Sequence, residues 1–382
     1  MKITIAPDDT PGIIWAARRA ATPGKGGGNP IIAGLLLDAS TEGLTATATD
    51  YETWAVATIG SVTHETGRAL LPARLLADLI GRLDRRGITL VVDGGVATLT
   101  GGSLEAQIPV MDAQDYPRPP VLPGAAGTVD ASTLRTAIGR TVVAAGDVTM
   151  EPRFQAAAIT MAPDALALAA CDRYRLAIAP LVWQAGADVV RRGDEPILAP
   201  ARTLAAAVKE SYGEVTLHHD ATAGSHGVLG LSWAGRQISM PILAGSPPNY
   251  AQAMAQNTCA LRMRADRAEL MDSLERVAPG MEGEQLPIVR LGLSTGVLEL
   301  RSGADGGRAR VRESVAVDYS GPALDLAVAW RNLTDALKAT GGEQVAVGLI
   351  DSGDPEKHRS IILSTPDDPH YRHLVMLNRG AR

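Results

Sequence analysis

The feature that most constrains this chain is a repeat whose period is about one small domain. The run Leu70-Leu71-Pro72-Ala73-Arg74-Leu75-Leu76-Ala77-Asp78-Leu79-Ile80 is echoed by Ile197-Leu198-Ala199-Pro200-Ala201-Arg202-Thr203-Leu204. A fainter third copy follows at Leu326-Ala327-Val328-Ala329-Trp330-Arg331-Asn332-Leu333. Their arginines, Arg74, Arg202 and Arg331, lie 128 and 129 positions apart (202 − 74 and 331 − 202). That spacing suits a domain rather than a solenoid unit. A chain of 382 residues therefore reads as three similar domains, 1–121, 122–252 and 253–382.

Each copy predicts the same local structure. Pro72 and Pro200 stand at helix starts, where a fixed φ and a missing N–H do no harm, and an amphipathic run follows. Each third also opens on a helix candidate, at Thr10 to Ala21, Ala131 to Ala145 and Asp266 to Ala278. Alternating apolar runs supply strands, such as Ile88 to Val92 and Val96 to Thr100 joined by Asp93-Gly94-Gly95. The expected fold class is α+β: two helices on antiparallel sheets, three times over. Connections are expected at Pro117 to Gly127 and Ser246 to Asn257.

One hairpin stands out. The alternating run Ala165 to Ala169 leads into Ala170-Cys171-Asp172-Arg173-Tyr174-Arg175-Leu176-Ala177, a strand, a charged turn and a second strand, Leu176 to Leu181. Leu44 to Glu52, a strand entering an Asp turn, is its counterpart in the first third.

Composition excludes several classes. At 46% hydrophobic and 20% charged residues the chain has material for real cores and is not of disordered type. No apolar run approaches the ~20 residues that span a bilayer, and the start lacks a signal-peptide core, so a cytoplasmic protein without membrane partners is expected. Cys171 and Cys259, the two cysteines, form no CxxC pair, which speaks against a disulfide framework or zinc ribbon. The formal charge of −6 excludes a uniformly basic coat but not a local basic face.

Catalytic motifs are not evident. Gly24-Lys25-Gly26-Gly27-Gly28 lacks the spacing and the Ser or Thr of a phosphate-binding loop. His218 and His219 are adjacent on a predicted strand and point to opposite faces, so they do not converge on a metal. Cys171 has no orienting motif for a nucleophile. Neither catalysis nor a cofactor is expected.

The order and phasing of Leu71-Pro72-Ala73-Arg74-Leu75-Leu76, Ala48-Thr49-Asp50, Cys171 to Ala177, Asp318-Tyr319-Ser320-Gly321 and Leu374-Val375-Met376 resemble the bacterial sliding clamp, the β subunit of the replicative DNA polymerase. The resemblance spans essentially the whole chain. It implies a head-to-tail homodimeric ring of six similar domains, with helices lining a hole for duplex DNA and sheets outside. The partners it implies are duplex DNA, gripped through its backbone without sequence reading, and polymerases and clamp-loader subunits, docked through short peptides. The DNA-facing candidates are Lys25, Arg74, Arg82, Arg135 and Arg140, with Arg202, Lys209, Arg331 and Lys338. Arg18, Arg19, Arg85 and Arg86 join them, whereas Asp266, Glu269, Asp272 and Glu275 make the Asp266 helix a poor contributor.

The resemblance also implies a peptide-docking cleft. Carried over position by position, its walls are Phe154, Cys171, Arg173, Tyr174, Arg175 and Leu176, together with Pro248, Ser360, Leu374, Val375, Met376 and Leu377. For Leu176 and Val375 plain core is an equal alternative. Where the family commonly has Thr, Gly and His, this chain has Cys171, Arg173 and Tyr174. Leu377-Asn378 replaces a Pro-Met, and Pro247-Pro248 replaces a Phe-Pro. These departures predict altered peptide affinity or selectivity, as in a specialised clamp; a clamp-like scaffold that does not encircle DNA is the other alternative.

Overall fold

The computed structural model describes residues 1–21, 30–83, 87–187, 196–219, 227–255, 259, 261–303, 309–349 and 360–378. Seven helices occur among them: α1 (Thr10–Ala17), α2 (Ala73–Ile80), α3 (Ala131–Val142), α4 (Ala201–Val208), α5 (Tyr250–Ala255), α6 (Arg267–Val277) and α7 (Trp330–Thr340). A single syntax recurs three times: one strand, a helix, four or five strands, a second helix, three strands. The opening strands are Lys2–Ile5, Ala125–Asp130 and Leu261–Asp266, and the opening helices are α1, α3 and α6. The arginine-bearing helices α2, α4 and α7 each begin directly where a strand ends, at Pro72, Pro200 and Ala329.

The backbone forms two compact units. In the first, which contains Met1–Ser132 and Glu210–Ile242, a five-stranded sheet runs Val62–Glu65, Lys2–Ile5, Ile88–Asp93, Val96–Gly101, Leu104–Pro109. The Asp93-Gly94 turn has Gly94 at φ 57, the left-handed conformation that glycine adopts freely. A larger sheet runs Ala125–Asp130, Glu214–His219, Val228–Trp233, Arg236–Pro241, Trp54–Ile59, Gly43–Thr49, Gly34–Ser40, Gly67–Pro72. It crosses from the second repeat to the first through antiparallel pairing of Arg236–Pro241 with Trp54–Ile59, Arg236 opposite Ala57 and Ser239 opposite Trp54. Trp15 of α1 packs edge-on to Trp233, ring centroids 5.7 Å apart. The guanidiniums of Arg19 and Arg236 lie over the Trp15 ring at 4.2 and 5.4 Å.

The second unit holds Thr133–Ala185, Arg192–Lys209 and Leu243–Arg382. Its eight-stranded sheet runs Ile197–Pro200, Ala156–Met161, Leu166–Cys171, Arg175–Leu181, Asp368–Met376, Ser360–Thr365, Gln344–Leu349, Leu261–Asp266. Here too a sheet crosses repeats, Arg175 opposite Val375 and Leu176 opposite Leu374. A four-stranded sheet, Val311–Ala316, Val297–Ser302, Ile288–Ser294, Leu324–Ala329, stands with it. Strand alternation divides the eight-stranded sheet into two faces. Val375, Ile361 and Leu363 join Leu274, Val328 and Leu337 in the large core beneath α6 and α7. Leu176, Leu374, Ile362 and Ala169 form a separate cluster with Tyr250 and Met254 of α5.

The Ser246 to Asn257 stretch, expected as a connection, instead carries α5. Asn249 Oδ1 accepts the Gln252 N–H at 2.9 Å, capping the first turn. Tyr250 and Met254, four apart, then fall on one face and cover the sheet. The opening helices are shorter than their amphipathic patterns: α1 ends at Ala17 and α3 at Val142. In α6 the expected Asp266 is the cap rather than the first helical residue, its Oδ1 accepting the Glu269 N–H at 2.8 Å.

Candidate functional site

The hairpin of the second repeat is built by its aspartate. Asp172 Oδ1 accepts the N–H groups of Tyr174 and Arg175 at 3.0 and 2.9 Å, and Cys171 Sγ accepts that of Arg173 at 3.3 Å. This curls the chain tightly enough to put Arg173 at φ 74, where a side chain costs about 1–2 kcal/mol relative to the right-handed region. A glycine at this place would meet no such cost; Arg173 does. Asp172 Oδ2 also accepts from Arg175 Nε at 2.8 Å, and Arg175 Nη1 reaches Asp335 on α7 at 2.7 Å. Both Asp172 and Arg175 are nearly buried, so this pair is charge-assisted in a poorly hydrated place. Tyr174 O accepts the Met376 N–H at 2.7 Å, which seats the turn against the end of strand Asp368–Met376.

Register decides which carried-over residues share a surface. Cys171, Leu176, Leu374, Met376 and Ser360 fall on the α5 face, because Cys171 opposes Leu176, Leu176 opposes Leu374, and Ser360 opposes Met376. Arg175 and Val375 oppose each other on the other face, and Val375 is wholly buried in the α6–α7 core. Of the two readings open for Leu176 and Val375, both side chains are core; only Leu176 lies under the α5 surface. Leu377 leaves the strand to bridge Val328, with the Asn378 N–H on Ala327 O at 2.7 Å. The surface that remains open is made by Tyr174 (63% exposed), Met376 (38%) and Arg173, beside half-buried Cys171 and Pro248.

Phe154 is closed over. It lies in a short turn of helix, Pro152–Phe154, and is buried. The guanidiniums of Arg153 and Arg173 each lie 5.0 Å from its ring centroid. Glu151 holds both, Oε2 to Arg153 Nη2 at 2.9 Å and Oε1 to Arg173 Nη2 at 3.2 Å. Glu151, Arg153, Tyr250 and Met254 were not singled out from sequence. The Asn249 cap with Tyr250 and Met254 four apart was a readable signal for α5; the pairing of Glu151 with residue 173 was not, since it depends on a fold contact.

Titration properties follow from burial. Burial pushes the Cys171 thiol up, against a smaller lowering by the Arg173 N–H, so it stays a thiol and a poor nucleophile. Burial raises Cys259 likewise. Tyr250 is raised by burial too, and its hydroxyl has no hydrogen-bond partner although it is sealed from solvent. His373, beside Leu374 but on the other face, is pushed down to about 3, by burial first and by the Arg175 charge second. It is neutral, with Nδ1 2.9 Å from the Tyr371 hydroxyl.

The cationic candidates fall into distinct settings. Arg74, Arg202 and Arg331 are each the second residue of α2, α4 and α7, and all are exposed. Lys338 is exposed in the last turn of α7, Lys209 is exposed at the end of α4, and Arg82 is exposed just past α2. Arg135 is half-buried on α3. Arg140, on the same helix, is held by Asp368 at 2.6 Å and lies over the Tyr371 ring at 5.2 Å. Arg19 pairs with Glu210 at 3.0 Å and is partly buried. On α6, Arg276 is held by Glu313. Lys25, Arg85 and Arg86, like the glycine-rich loop around Lys25, lie outside the described residues.

A thrice-repeated α+β unit with exposed arginines at matching helix starts, and exposed Tyr174 and Met376 beside the Cys171–Arg175 turn, has the features of a binding scaffold. Comparison with known proteins sharpens this. Two family models match: DNA polymerase III beta subunit, N-terminal domain, over residues 25–122, and DNA polymerase III beta subunit, C-terminal domain, over 258–379. The beta sliding clamp of Streptomyces coelicolor is 28% identical, the alignment covering 95% of both chains. That of Micrococcus luteus is 29% identical over 82% of this chain and 98% of its own. The crystal structure of the Pseudomonas aeruginosa DNA polymerase III subunit beta superposes with a TM-score of 0.86 at 23% identity, covering 99% of this chain and 100% of that one. The chain belongs to the DNA polymerase III beta subunit family, the bacterial sliding clamps.

Proposed function

We propose that two copies of this chain close head to tail around duplex DNA as a sliding clamp, and that polymerases and other replication or repair proteins dock through the groove beside the Cys171–Arg175 turn. The observation that carries the reading is the placement of Arg74, Arg202 and Arg331 at the second position of three equivalent helices. A cation in the first turn opposes the helix dipole by about 0.3–1 kcal/mol. Three such placements in register make sense where an external polyanion supplies the compensating charge. Guanidiniums so placed grip phosphates without reading bases, as a sliding protein requires. Arg82, Arg135, Lys209 and Lys338 share this role in the reading, as does Lys25, which lies outside the described residues; Arg140 serves the Asp368 and Tyr371 contact first.

Among the described residues, Leu104–Pro109 in the first unit and Val311–Ala316 in the second are edge strands of their sheets, which supports contact between the first domain of one chain and the third of the next. Domains 1–121, 122–252 and 253–382 are part of this reading. So is a role without chemistry: Cys171 is held as a thiol, and both nitrogens of His218 are engaged, by Pro123 O and Ser232 Oγ. No described helix is long and apolar enough to cross a membrane; the site of action is the cytoplasm, where the DNA is.

The test is topological. Protein loaded on nicked circular DNA is expected to survive a high-salt wash and to be lost when the circle is cut. Equal loss from circular and linear DNA would favour a scaffold that does not encircle DNA, and a monomeric mass in solution would refute the ring.

A further inference from the structure

The connection from the first repeat to the second is a rod with one side resting on the protein. Residues 117–123, Pro-Arg-Pro-Pro-Val-Leu-Pro, hold four prolines in seven positions, each with a fixed φ and no N–H to offer a ladder. Such a composition favours the polyproline II helix, which has about three residues per turn. Exposure follows that period: Pro117, Pro120 and Pro123 are half-buried, whereas Arg118, Val121 and Gly124 are exposed. Both ends are pinned. Tyr116 is buried against Leu36 and Leu70, its hydroxyl donating to Gly34 O and Thr47 O at 3.3 and 3.2 Å. At the far end Pro123 O accepts from His218 Nδ1 at 3.1 Å, and the Leu122 side chain packs on Gly230, where a Cβ would come within 2.6 Å of it. Between the pins the backbone of 117–122 makes no hydrogen bond among the described residues. Val121 is 92% exposed, and Arg118 is the one charged residue between Asp115 and Asp130. The second connection behaves otherwise: past Pro247-Pro248 it coils into α5 and buries Tyr250 and Met254.

We propose that residues 118–121 are a recognition element for a partner domain whose groove is lined with aromatic side chains and carries a carboxylate at its rim. A three-sided rod that rests on one side offers the other two. A proline rod pinned at both ends is already ordered, so binding it forfeits little conformational freedom. Pro119 and Val121 fill the spaces between the partner's rings, and Arg118 beside them pairs with its carboxylate, which fixes the direction in which the rod is read. Every one of these residues, with its pins, belongs to the first unit, so the element is present whether or not two chains close as a ring.

Fluorescein-labelled SH3, WW and EVH1 domains, which take proline rods in aromatic grooves, test this when titrated with the full chain and read by anisotropy. At least one of them is expected to bind. Val121→Ser is expected to weaken that binding about tenfold, the worth of burying one valine side chain. Arg118→Gln is expected to weaken it about threefold, as for an exposed ion pair, with the difference from wild type shrinking as salt rises. Both side chains stand clear of the core, so each variant is expected to melt with the wild type, which separates lost recognition from lost folding. Binding by none of the three domains overturns the proposal, as does binding that Val121→Ser and Arg118→Gln leave unchanged, or a loss of binding matched by a fall in melting temperature.

Discussion

The Thr49–Thr53 turn of the first repeat and the Cys171–Arg175 turn of the second are built on one frame and used differently. In both, an aspartate N–H donates to the carbonyl three residues on, Asp50 to Thr53 at 3.3 Å and Asp172 to Arg175 at 3.2 Å. In both, the aspartate Oδ1 accepts the next two amides but one, and the preceding side chain accepts the amide of a left-handed residue, Tyr51 (φ 71) or Arg173 (φ 74). They part at the last position. Thr53 turns its hydroxyl back to Asp50 at 2.9 Å, so that turn satisfies itself. Arg175 satisfies Asp172 and goes on to Asp335 of α7, which makes a local turn into a tie between repeats. Exchanging a short donor for a long one is enough to couple a self-contained loop to a distant helix.

Substitutions can break that comparison, and the largest effect belongs to the aspartates. Asp172→Ala is expected to destabilise its unit by about 3 kcal/mol, because it removes one of the two carboxylates of nearly buried Arg175 and the acceptor of two turn amides, while Asp50→Ala costs about 1 kcal/mol, as for an exposed cap. Urea unfolding followed by tryptophan fluorescence compares them; equal losses would mean the tie to α7 contributes nothing. Next, Arg175→Thr copies the first turn into the second and is expected to cost about 1–3 kcal/mol. Hydrogen exchange should quicken at 175–178 and 372–375 while the turn amides stay protected. Glycine at the two left-handed positions sharpens the contrast: Tyr51→Gly is expected to gain about 1 kcal/mol, Arg173→Gly less, since it forfeits the Phe154 and Glu151 contacts, and thermal unfolding reads the difference.

The smallest effect is one of pH. Burial raises the Cys171 thiol above its unfolded value, so the folded state holds its proton longer. The stability this contributes is complete below the unfolded value and is lost as pH rises through the raised one. A shallow loss of stability in mildly alkaline buffer is expected, and Cys171→Thr, which restores the atom type of Thr49, should flatten it.

Much of the architecture was legible because it is written in periodicity. The strand–helix–strand syntax, the Pro72 and Pro200 helix starts and the Asp93-Gly94-Gly95 hairpin all depend on neighbours in sequence. What escaped depends on neighbours in space. Nothing near Arg140 announces Asp368, 228 residues away, and the side of the sheet on which Val375 falls is fixed only by its register with Arg175. The α5 helix was missed for a different reason: six residues flanked by proline and polar positions read as a connection, and it is the sheet beneath Tyr250 and Met254 that stabilises so short a helix.

The sheets that run unbroken across each repeat junction have a mechanical consequence. A pull that separates the first repeat from the second must break the hydrogen-bonded ladder of Arg236–Pro241 on Trp54–Ile59, and one that separates the second from the third must break that of Arg175–Leu181 on Asp368–Met376. In a ring of two such chains the junctions within each chain are strand ladders backed by a covalent thread, and the seams between chains have no such thread. A machine that opens the ring has two places to pry, and a chain that has let go there keeps its own junctions zipped.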